Sequence, residues 1–504
     1  MPLRLFNTRT HALEELAPLE PDHVRIYVCG LTPSAEGHLG HARSFLFFDV
    51  LRGYLEHARN GYRVTFVKNV TDVDDRSIAT AQREGTTFEL VVKRFYDSFR
   101  ESMRILNVRE PDAEPYATKF VPQIVEMIAE LIGTGHAYVS EDGIYYAVAT
   151  FPRYGALSGK HVDELLVGAR IAENEHKRDP LDFALWKFAK PGEPQWESPW
   201  GGGRPGWHIE CSAMSRALLG VPFDLHGGGY DLIFPHHENE IAQSEVLMPA
   251  PPMAQMWVHG GLLNFEGRKM SKSLGNFEPL SELLKRHDPL AIRLLFLQTG
   301  YRKPMNFTEE SIAGATTALE RLRRGYAVLS GEIATAVSAP ASGEHAGLGV
   351  EAYEVRFFDA LDDDMNTAGA LGVLFDLISR LSKHPDAAQR EGGAVLLHDA
   401  LQLFGIGPLL DRPVEAERTV VLDPALAERL RARLGDALLA SMNSRQWSSH
   451  ESPEAIVQAV IEARTAARKN KNFALGDDLR DALAAEGIAL KDSKDGTTWT
   501  AAAT

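Results

Sequence analysis

The first hundred residues contain a strand, a helix and a second strand in close succession. The run HVRIYVCG (23–30) is rich in β-branched and aromatic residues and stops at a glycine, which predicts a buried strand. Residues 41–62 follow with helical spacing and a stop at Gly61, and residues 63–75 predict a second strand with an acidic loop. The apolar positions of the predicted helix are Phe45, Phe48, Leu51, Tyr54 and Leu55. A strand, a helix and a strand within about 50 residues form a βαβ unit, which predicts an α/β chain with a parallel sheet.

Composition limits the class of protein. The chain has 504 residues, of which 44% are hydrophobic and 24% charged, as is usual for a globular protein of about three domains. We see no run of about 20 apolar residues and no secretory signal. Two cysteines are too few for a disulfide framework, so we expect a cytoplasmic location and no membrane partner. The net charge of −16 argues against non-specific nucleic-acid binding but leaves room for local basic patches.

The pattern of the chain changes three times after the first sheet unit. Residues 111–205 carry mixed signals, with a helix predicted over 120–135, a strand over 143–149, and a stretch rich in Pro, Gly and Trp over 191–205. We interpret this segment as an insertion in the sheet domain. Helical spacing dominates residues 311–411, interrupted by a soft linker. Residues 425–504 predict a small helical domain that ends in the strand-like run TTWT.

The two cysteines are far apart in sequence. Cys29 lies at the end of the first predicted strand, where parallel sheets bind ligands. Cys211 lies in GWHIECSAMS, shortly before PHHENE, in which His236 and Glu240 share a helix face at i and i+4. Two thiols, an imidazole and a carboxylate form a possible zinc set. The alternative is that both cysteines are small, buried, inert side chains. This alternative stays open because the fixed CxxC spacing of zinc fingers is absent.

Two further motifs point to phosphate chemistry. His38-Leu39-Gly40-His41 falls where the first helix should begin, and a helix N-terminus attracts phosphate. The run GRKMSKSLGN (267–276) offers Lys269 and Lys272 to a leaving pyrophosphate. The alternatives are two histidines that flank a glycine by chance, and a solvated basic loop. Neither motif is a P-loop, and the one literal GxGxxG (201–206) follows no strand.

Together these motifs resemble the signatures of class I aminoacyl-tRNA synthetases. HLGH differs from the HIGH signature only at Leu39, and KMSKS matches in full. The runs YVCG, NVTDVDD, GWHIECSAM, HGGGYDLIFPHHENEIAQSE, LDDDMNTAGALGVLF and ARKNKNFALGDDLRDALAAEGIALKDSKDGTTW are similar to cysteinyl-tRNA synthetases, and the likeness covers nearly the whole chain. Two positions depart from that family: Ser34-Ala35 replaces a Tyr-Asp pair, and Tyr230 replaces a small residue.

The resemblance implies a site with three parts. One Zn²⁺ per chain would be held by Cys29, Cys211, His236 and Glu240. ATP, with Mg²⁺, would be bound by His38, Gly40, His41 and Lys272. The catalytic residues that stabilise the phosphates would be His38, His41, Lys269 and Lys272. L-Cysteine would lie among Thr32, Thr71, Trp207, His226 and Asp231, although packing in the core is an equal alternative for Trp207.

The resemblance also implies an activity and a domain plan. The enzyme would join L-cysteine and ATP into cysteinyl-adenylate and transfer the cysteine to the 3′ end of tRNA(Cys), acting as a monomer. A Rossmann-like catalytic domain would comprise residues 1–110 and 206–310, split by a connective insertion at 111–205. An α-helical bundle at 311–411 would contact the tRNA stem, and residues 425–504 would bind the anticodon.

Three alternative functions follow from parts of the same sequence. A cysteine ligase of mycothiol synthesis would share the zinc and the adenylate and would transfer the cysteine to an amino sugar. The family form of that ligase lacks the C-terminal domain present at 425–504. A non-catalytic paralogue, either tRNA-binding or zinc-dependent and regulatory, gains support only from Ser34-Ala35, because both signatures and all four ligands are intact. A dinucleotide-dependent dehydrogenase lacks a credible glycine fingerprint.

Overall fold

The computed structural model describes residues 2–159, 176–250, 252–265, 268–269, 278–333, 349–414, 426, 429–430, 432–434, 453–470, 472–493 and 496–501. The chain forms two compact units, residues 1–413 and residues 414–504. Across these described ranges, no helix is both long and apolar enough to cross a membrane.

The first unit opens with a hairpin and then the predicted strand–helix–strand unit. Its elements are β1 (Arg4–Asn7), β2 (Ala12–Glu15), β3 (His23–Leu31), α1 (Leu39–Glu56), β4 (Arg63–Val70), α2 (Asp75–Glu84) and α3 (Phe88–Ile105). Strands β3 and β4 pair in parallel. Helix α1 ends at Glu56 rather than at the predicted stop. Its C-cap residue His57 leaves the helical conformation (φ −56°, ψ 144°), and Gly61 has φ +69° in the turn before β4.

Helix α1 is held against the sheet by its apolar face. The core buries all five predicted positions, namely Phe45, Phe48, Leu51, Tyr54 and Leu55. Full burial of each such side chain stabilises the folded chain by about 1.5–3 kcal/mol relative to leaving it exposed. This packing keeps the first turn of α1 next to the carboxyl end of β3.

Residues 111–205 add a second, antiparallel sheet. The elements are α4 (Val121–Gly133), β5 (Ala137–Val139), β6 (Gly143–Tyr146), β7 (Phe183–Phe188) and β8 (Gly203–Pro205). The strands lie in the order β5-β6-β7-β8. The predicted helix and strand correspond to α4 and β6, and the stretch rich in Pro, Gly and Trp contains β8.

The chain then returns to the parallel sheet. The elements are α5 (Trp207–Leu219), β9 (Phe223–Gly229), α6 (Glu238–Glu245), β10 (Ala254–Gly260), β11 (Leu263–Phe265), β12 (Arg268–Lys269), α7 (Leu280–Arg286), α8 (Pro289–Leu297) and β13 (Met305–Phe307). The parallel strands lie in the order β10-β9-β3-β4. The strand order reverses between β3 and β9, and ligands bind in the crevice at such a reversal. The predicted α/β class with a parallel sheet is confirmed.

Four helices complete the first unit and share its hydrophobic core. They are α9 (Glu309–Leu329), α10 (Val350–Asp362), α11 (Thr367–Leu381) and α12 (Ala387–Leu403). Their buried leucines, such as Leu322, Leu374 and Leu397, pack in one cluster with the side chains of β3 and α1.

The second unit has a core of its own. Its described elements are α13 (Pro453–Lys469), α14 (Phe473–Ala485), β14 (Ile488–Ser493) and β15 (Gly496–Ala501). Strands β14 and β15 form an antiparallel hairpin, and the predicted strand-like run 497–500 lies in β15. Leu430, Val457 and Leu483 are buried at its centre.

Candidate active site and metal centre

A cavity of about 770 Å³ lies at the carboxyl ends of β3 and β9. Its volume falls within the range of about 300–1,000 Å³ that is usual for small-ligand sites. The predicted site residues that line it are Cys29, Thr32, His38, Gly40, His41, Thr71, Trp207, Cys211, Asp231 and His236. The fold therefore brings most of the predicted zinc, ATP and amino-acid residues to one space.

The four predicted zinc ligands converge from three separate segments. Cys29 comes from β3, Cys211 from α5, and His236 with Glu240 from the start of α6 and the turn before it. Their donor atoms all lie within 4.8 Å of one another. The two Sγ atoms are 3.6 Å apart, and Cys29 Sγ lies 3.3 Å from His236 Nε2. Two thiolates at about 2.3 Å from a tetrahedral zinc ion would be about 3.8 Å apart, so the donor set fits zinc in kind and spacing.

Buried histidines hold these donors in place. His208 Nδ1 lies 2.9 Å from His236 Nδ1, and His226 Nε2 lies 2.9 Å from Glu240 Oε2. Outer contacts of this kind fix the orientation of metal-binding side chains and are needed for tight metal binding. His226 was predicted to contact the amino acid, but in the structure it contacts Glu240 and does not line the cavity.

A second set of donors overlaps the first. Cys29, His226, His237 and Glu240 also lie within 4.8 Å of one another. Of these four residues only Cys29 lines the cavity, whereas Cys29, Cys211 and His236 of the predicted set all line it. A metal held by the predicted set would therefore be accessible to a ligand in the cavity.

The charges of the cluster favour a cation at its centre. Burial opposes ionisation of the Cys211 thiol, but the hydrogen bond from Cys29 and the charge of His236 lower its pKa to about 6. Burial also opposes the charged forms of Glu240 and His236. The charges of His226 and His236 nevertheless lower the pKa of Glu240 to about 2. Glu240 and Cys211 raise the pKa of His236 to about 10. Two anions thus surround one imidazolium, whose proton a divalent metal would replace.

The HLGH motif caps the first turn of α1. His38 is the N-cap residue, its Nδ1 accepts the backbone N–H of Gly40 at 3.1 Å, and His41 Nδ1 accepts the backbone N–H of His38 at 3.3 Å. The two rings stack with centroids 3.8 Å apart. Because Nδ1 is the acceptor in each neutral ring, the proton is assigned to Nε2, which can donate to an anion at the helix N-terminus.

A Cβ atom at Gly40 would lie 2.9 Å from His38 Cε1, so this position needs glycine for the ring to pack against the turn. Burial, the neighbouring His38 and the charge of Arg76 lower the pKa of His41 well below its usual value. His41 is therefore neutral near pH 7.

Of the two predicted lysines, the structure describes only the position of Lys269. Lys269 lies in β12, which pairs with β11 at the sheet edge. Lys272 and the rest of the KMSKS run lie outside the described residues.

Several buried histidines near the donors are not among the residues predicted from the sequence. His237 lies 3.3 Å from Cys29 Sγ and 2.7 Å from His259, which in turn lies 2.8 Å from Thr8 Oγ1. His208 precedes Cys211 by three residues on the same helix, and that spacing could have identified it. No local signal marks His259, which reaches the cluster only through the position of β10 beside β9.

Comparison with known families agrees with the site. Residues 15–317 match the catalytic domain of class I tRNA synthetases of the cysteine type, residues 356–406 match the DALR domain, and residues 452–499 match the cysteinyl-tRNA ligase anticodon-binding domain.

Comparison with individual curated proteins and solved structures agrees with the family matches. The cysteine--tRNA ligase of Desulfotalea psychrophila is 42% identical over 501 residues, and that of Methylococcus capsulatus is 45% identical over 498 residues, with 99% of both chains covered in each case. Among solved structures, Mycobacterium tuberculosis methionyl-tRNA synthetase bound by methionyl-adenylate has a TM-score of 0.54 at 16% identity, covering 82% of this chain and 96% of its own. A LeuRS–tRNA complex of Agrobacterium radiobacter has a TM-score of 0.56 at 12% identity, covering 78% and 85%. The fold is that of class I synthetases, and the chain belongs to the cysteine--tRNA ligase family.

Proposed function

We propose that this chain activates L-cysteine with ATP and transfers it to the 3′ end of tRNA(Cys). The observation that carries the proposal is one shared cavity, which is lined by Cys29, Cys211 and His236 and also by the two histidines of HLGH. A thiol-selective centre and a phosphate-binding helix terminus in one space suit the joining of cysteine to a nucleotide.

Zinc is the proposed metal, held by Cys29, Cys211, His236 and Glu240. When bound there, it supplies a thiophilic Lewis acid that accepts a cysteine thiolate far better than a serine hydroxyl. A site built for one polar group can reject an analogue that lacks it by about 10⁴–10⁵-fold, without an editing step.

The remaining cavity residues would hold the rest of the amino acid. Thr32, Thr71 and Asp231 line the cavity, and we assign to Asp231 the pairing with the substrate ammonium. Trp207 stacks on His236 with ring centroids 4.5 Å apart and remains 41% exposed. Its free face would contact the substrate, while its stacked face would hold the His236 ring.

The phosphates would be stabilised from two sides. The Nε2–H groups of His38 and His41 donate at the N-terminus of α1, and Lys269 and Lys272, with Mg²⁺, would neutralise the leaving pyrophosphate. The cysteine carboxylate attacks the α-phosphorus in line, and the bond to pyrophosphate breaks. The ribose hydroxyl of the terminal adenosine then attacks the carbonyl carbon, and AMP leaves. The protein contributes positioning and charge, with no covalent enzyme intermediate.

The proposed domain roles follow the family matches. Residues 1–110 and 206–310 would form the catalytic domain with 111–205 as a connective insertion, and 311–411 would contact the tRNA stem. Residues 425–504 would bind the anticodon, with phosphate contacts from the basic run 464–473. The chain is proposed to act as a monomer in the cytoplasm.

The acceptor distinguishes this proposal from the cysteine ligase of mycothiol synthesis. The test is acylation with labelled cysteine and ATP, offered either a tRNA(Cys) transcript or an amino sugar. We expect label on the 3′ end of the tRNA and none on the sugar. Label on the amino sugar alone would contradict the proposed function.

A further inference from the structure

The cavity continues beyond the residues that the proposed activation step uses. One of its walls is formed by α2 and α3, through Arg76, Thr80, Arg83 and Phe95. Ser34 and Ala35, whose side chains are short, line the cavity as well. The loop that contains them is tied to α3, because the Ser98 hydroxyl donates to Glu36 at 2.9 Å.

Three of these residues form one face of α2. Arg76, Thr80 and Arg83 are spaced i, i+4 and i+7, which places them in one row along the helix. At 1.5 Å per residue the two arginines are about 10 Å apart along the axis. Arg83 Nη2 donates to Thr80 Oγ1 at 3.3 Å, which directs the guanidinium along this row. We call this row the α2 face.

Arg83 is the cation of the α2 face that acidic neighbours leave unpaired, whereas Arg76 is paired with Asp74. Within the described ranges, Arg83 forms no ion pair. Arg76 bonds Asp74 through Nε at 3.0 Å, and its side chain is 68% exposed. The nearby Glu84 is already paired with Arg94 at 3.0 Å.

The α2 face starts beside the HLGH motif and leads away from it. Arg76 lines the same cavity as His38 and His41, which places the first turn of α2 near that motif. Arg83 lies two turns further along the helix. In the proposed function the phosphates of ATP contact two histidines and two lysines. The tRNA is the other polyanionic substrate, and no residue is yet assigned to the backbone of its 3′ end.

We propose that the α2 face binds backbone phosphates of the single-stranded 3′ end of the tRNA as it enters the cavity. This inference rests on the proposed function. A chain with a net charge of −16 repels nucleic acid over most of its surface, so a local row of arginines decides where a strand can approach. Guanidinium groups suit this task because they bind phosphate oxygens in a bidentate manner.

The test compares two activities of the full-length, zinc-loaded protein. ATP–pyrophosphate exchange is measured without tRNA, and aminoacylation of a tRNA(Cys) transcript is measured over a series of KCl concentrations. The variants are Arg83→Gln and Arg83→Lys. The matched control is Lys93→Gln, which removes an exposed cation of α3 that does not line the cavity.

We expect Arg83→Gln to lower kcat/KM for tRNA about tenfold, the loss expected for one charge-assisted hydrogen bond. The slope of log kcat/KM against log salt should become shallower by about one, and exchange should fall far less than aminoacylation. Arg83→Lys should restore the slope, and the control should change neither activity.

Two outcomes would overturn the inference. Equal losses in exchange and aminoacylation, with a raised KM for ATP, would assign the α2 face to ATP phosphates. Unchanged aminoacylation with an unchanged salt slope in Arg83→Gln would leave the face without a ligand. Failure of the proposed function itself is distinguishable, because the unmodified protein would then lack exchange or aminoacylation before any variant is compared.

Discussion

At the residue scale, the surroundings of the two cysteines set their chemistry. Their sulfur atoms are 3.6 Å apart, well beyond the bond length of about 2.05 Å in a disulfide. A buried thiol among apolar groups alone is inert. Here His236 and Glu240 supply an imidazole and a carboxylate at the distances of a shared metal ion. The contacts therefore support the ligand assignment more strongly than sequence spacing does.

The first prediction concerns Cys211. We expect Cys211→Ser to lose bound zinc and to lower cysteine-dependent pyrophosphate exchange by at least about 100-fold, because loss of even an outer contact costs about 10–100-fold. Zinc content by mass spectrometry and exchange rates provide the measurement. Ser215→Ala, a buried change on the same helix, is the control and should keep both. Normal exchange in Cys211→Ser would refute the zinc assignment.

A second prediction concerns His41, whose pKa is held well below its usual value by burial, His38 and Arg76. In the unfolded chain this imidazole takes up a proton as the pH falls below about 6.5, while the folded protein does not. Protons therefore favour unfolding, and stability falls with pH in that window. We expect His41→Asn to lose less stability between pH 7 and pH 5 than the unmodified protein.

Urea midpoints at the two pH values measure this difference, with the exposed His11→Asn as control. Equal losses in His41→Asn and the unmodified protein would show that His41 is not the group involved.

The resemblance to cysteinyl-tRNA synthetases predicted the four donors as one set, whereas His208, His237 and His259 behind them were missed. His236 and Glu240 are joined by helix periodicity, and Cys29 lies at a strand end where ligands bind. His259 contacts His237 only because β10 lies next to β9. Local sequence patterns do not predict the order of strands in a sheet.

At the element scale, the end of β3 is shaped by a close approach of two backbones. The pairing of β3 with β4 shifts register between Val28 and Leu31. Gly30 donates its N–H to Asn69 Oδ1 at 2.8 Å, and a Cβ atom at Gly30 would lie 1.6 Å from the Asn69 carbonyl oxygen. Only glycine fits at this position, directly beside Cys29.

The third prediction follows from this contact. Gly30→Ala should lower the free energy of unfolding by about 1–3 kcal/mol, the usual cost of an overpacked position, and should reduce zinc content because Cys29 moves with the strand. Urea unfolding and metal analysis test it. Gly133→Ala, at the end of α4 with open space around it, is the control. A Gly30→Ala protein with full stability and full zinc content would contradict the proposed role of this glycine.

Local patterns predicted β3, α1 and β4 but misplaced the end of α1. The pattern continues to the glycine at 61, yet the helix stops at Glu56. The ring of His57 lies 2.9 Å from Asp399 Oδ2 of α12. That partner is more than three hundred residues away, so the helix end is set by a tertiary contact that periodicity does not reveal.

At the scale of the whole molecule, a buried arginine joins the helical region to the sheet domain. Arg293 of α8 is 1% exposed, pairs with Asp49 of α1 at 2.6 Å, and donates to the carbonyl oxygens of Leu106 and Phe404. These contacts tie the end of α3 and the end of α12 to the middle of α1. Breaking a buried pair of this kind by removing one partner typically costs about 3–5 kcal/mol, because the other charge is left buried without compensation.

The fourth prediction uses the division into two units. Because the first unit ends at Pro413 with its own core, deletion of 425–504 should leave pyrophosphate exchange in place. Aminoacylation of tRNA should fall by at least about tenfold, because the deletion removes the proposed phosphate contacts of 464–473. Exchange and aminoacylation of the truncated chain are compared with those of the full chain. Unchanged aminoacylation would remove the anticodon-binding role from this segment.

The most direct test of the whole account is ATP–pyrophosphate exchange with cysteine and with serine, on protein assayed for zinc. We expect about one zinc per chain, exchange with cysteine, and an exchange rate with serine lower by about 10⁴-fold. Equal exchange with serine, or no exchange in a folded protein that holds zinc, would contradict the claim that the Cys29–Cys211 centre selects and activates cysteine.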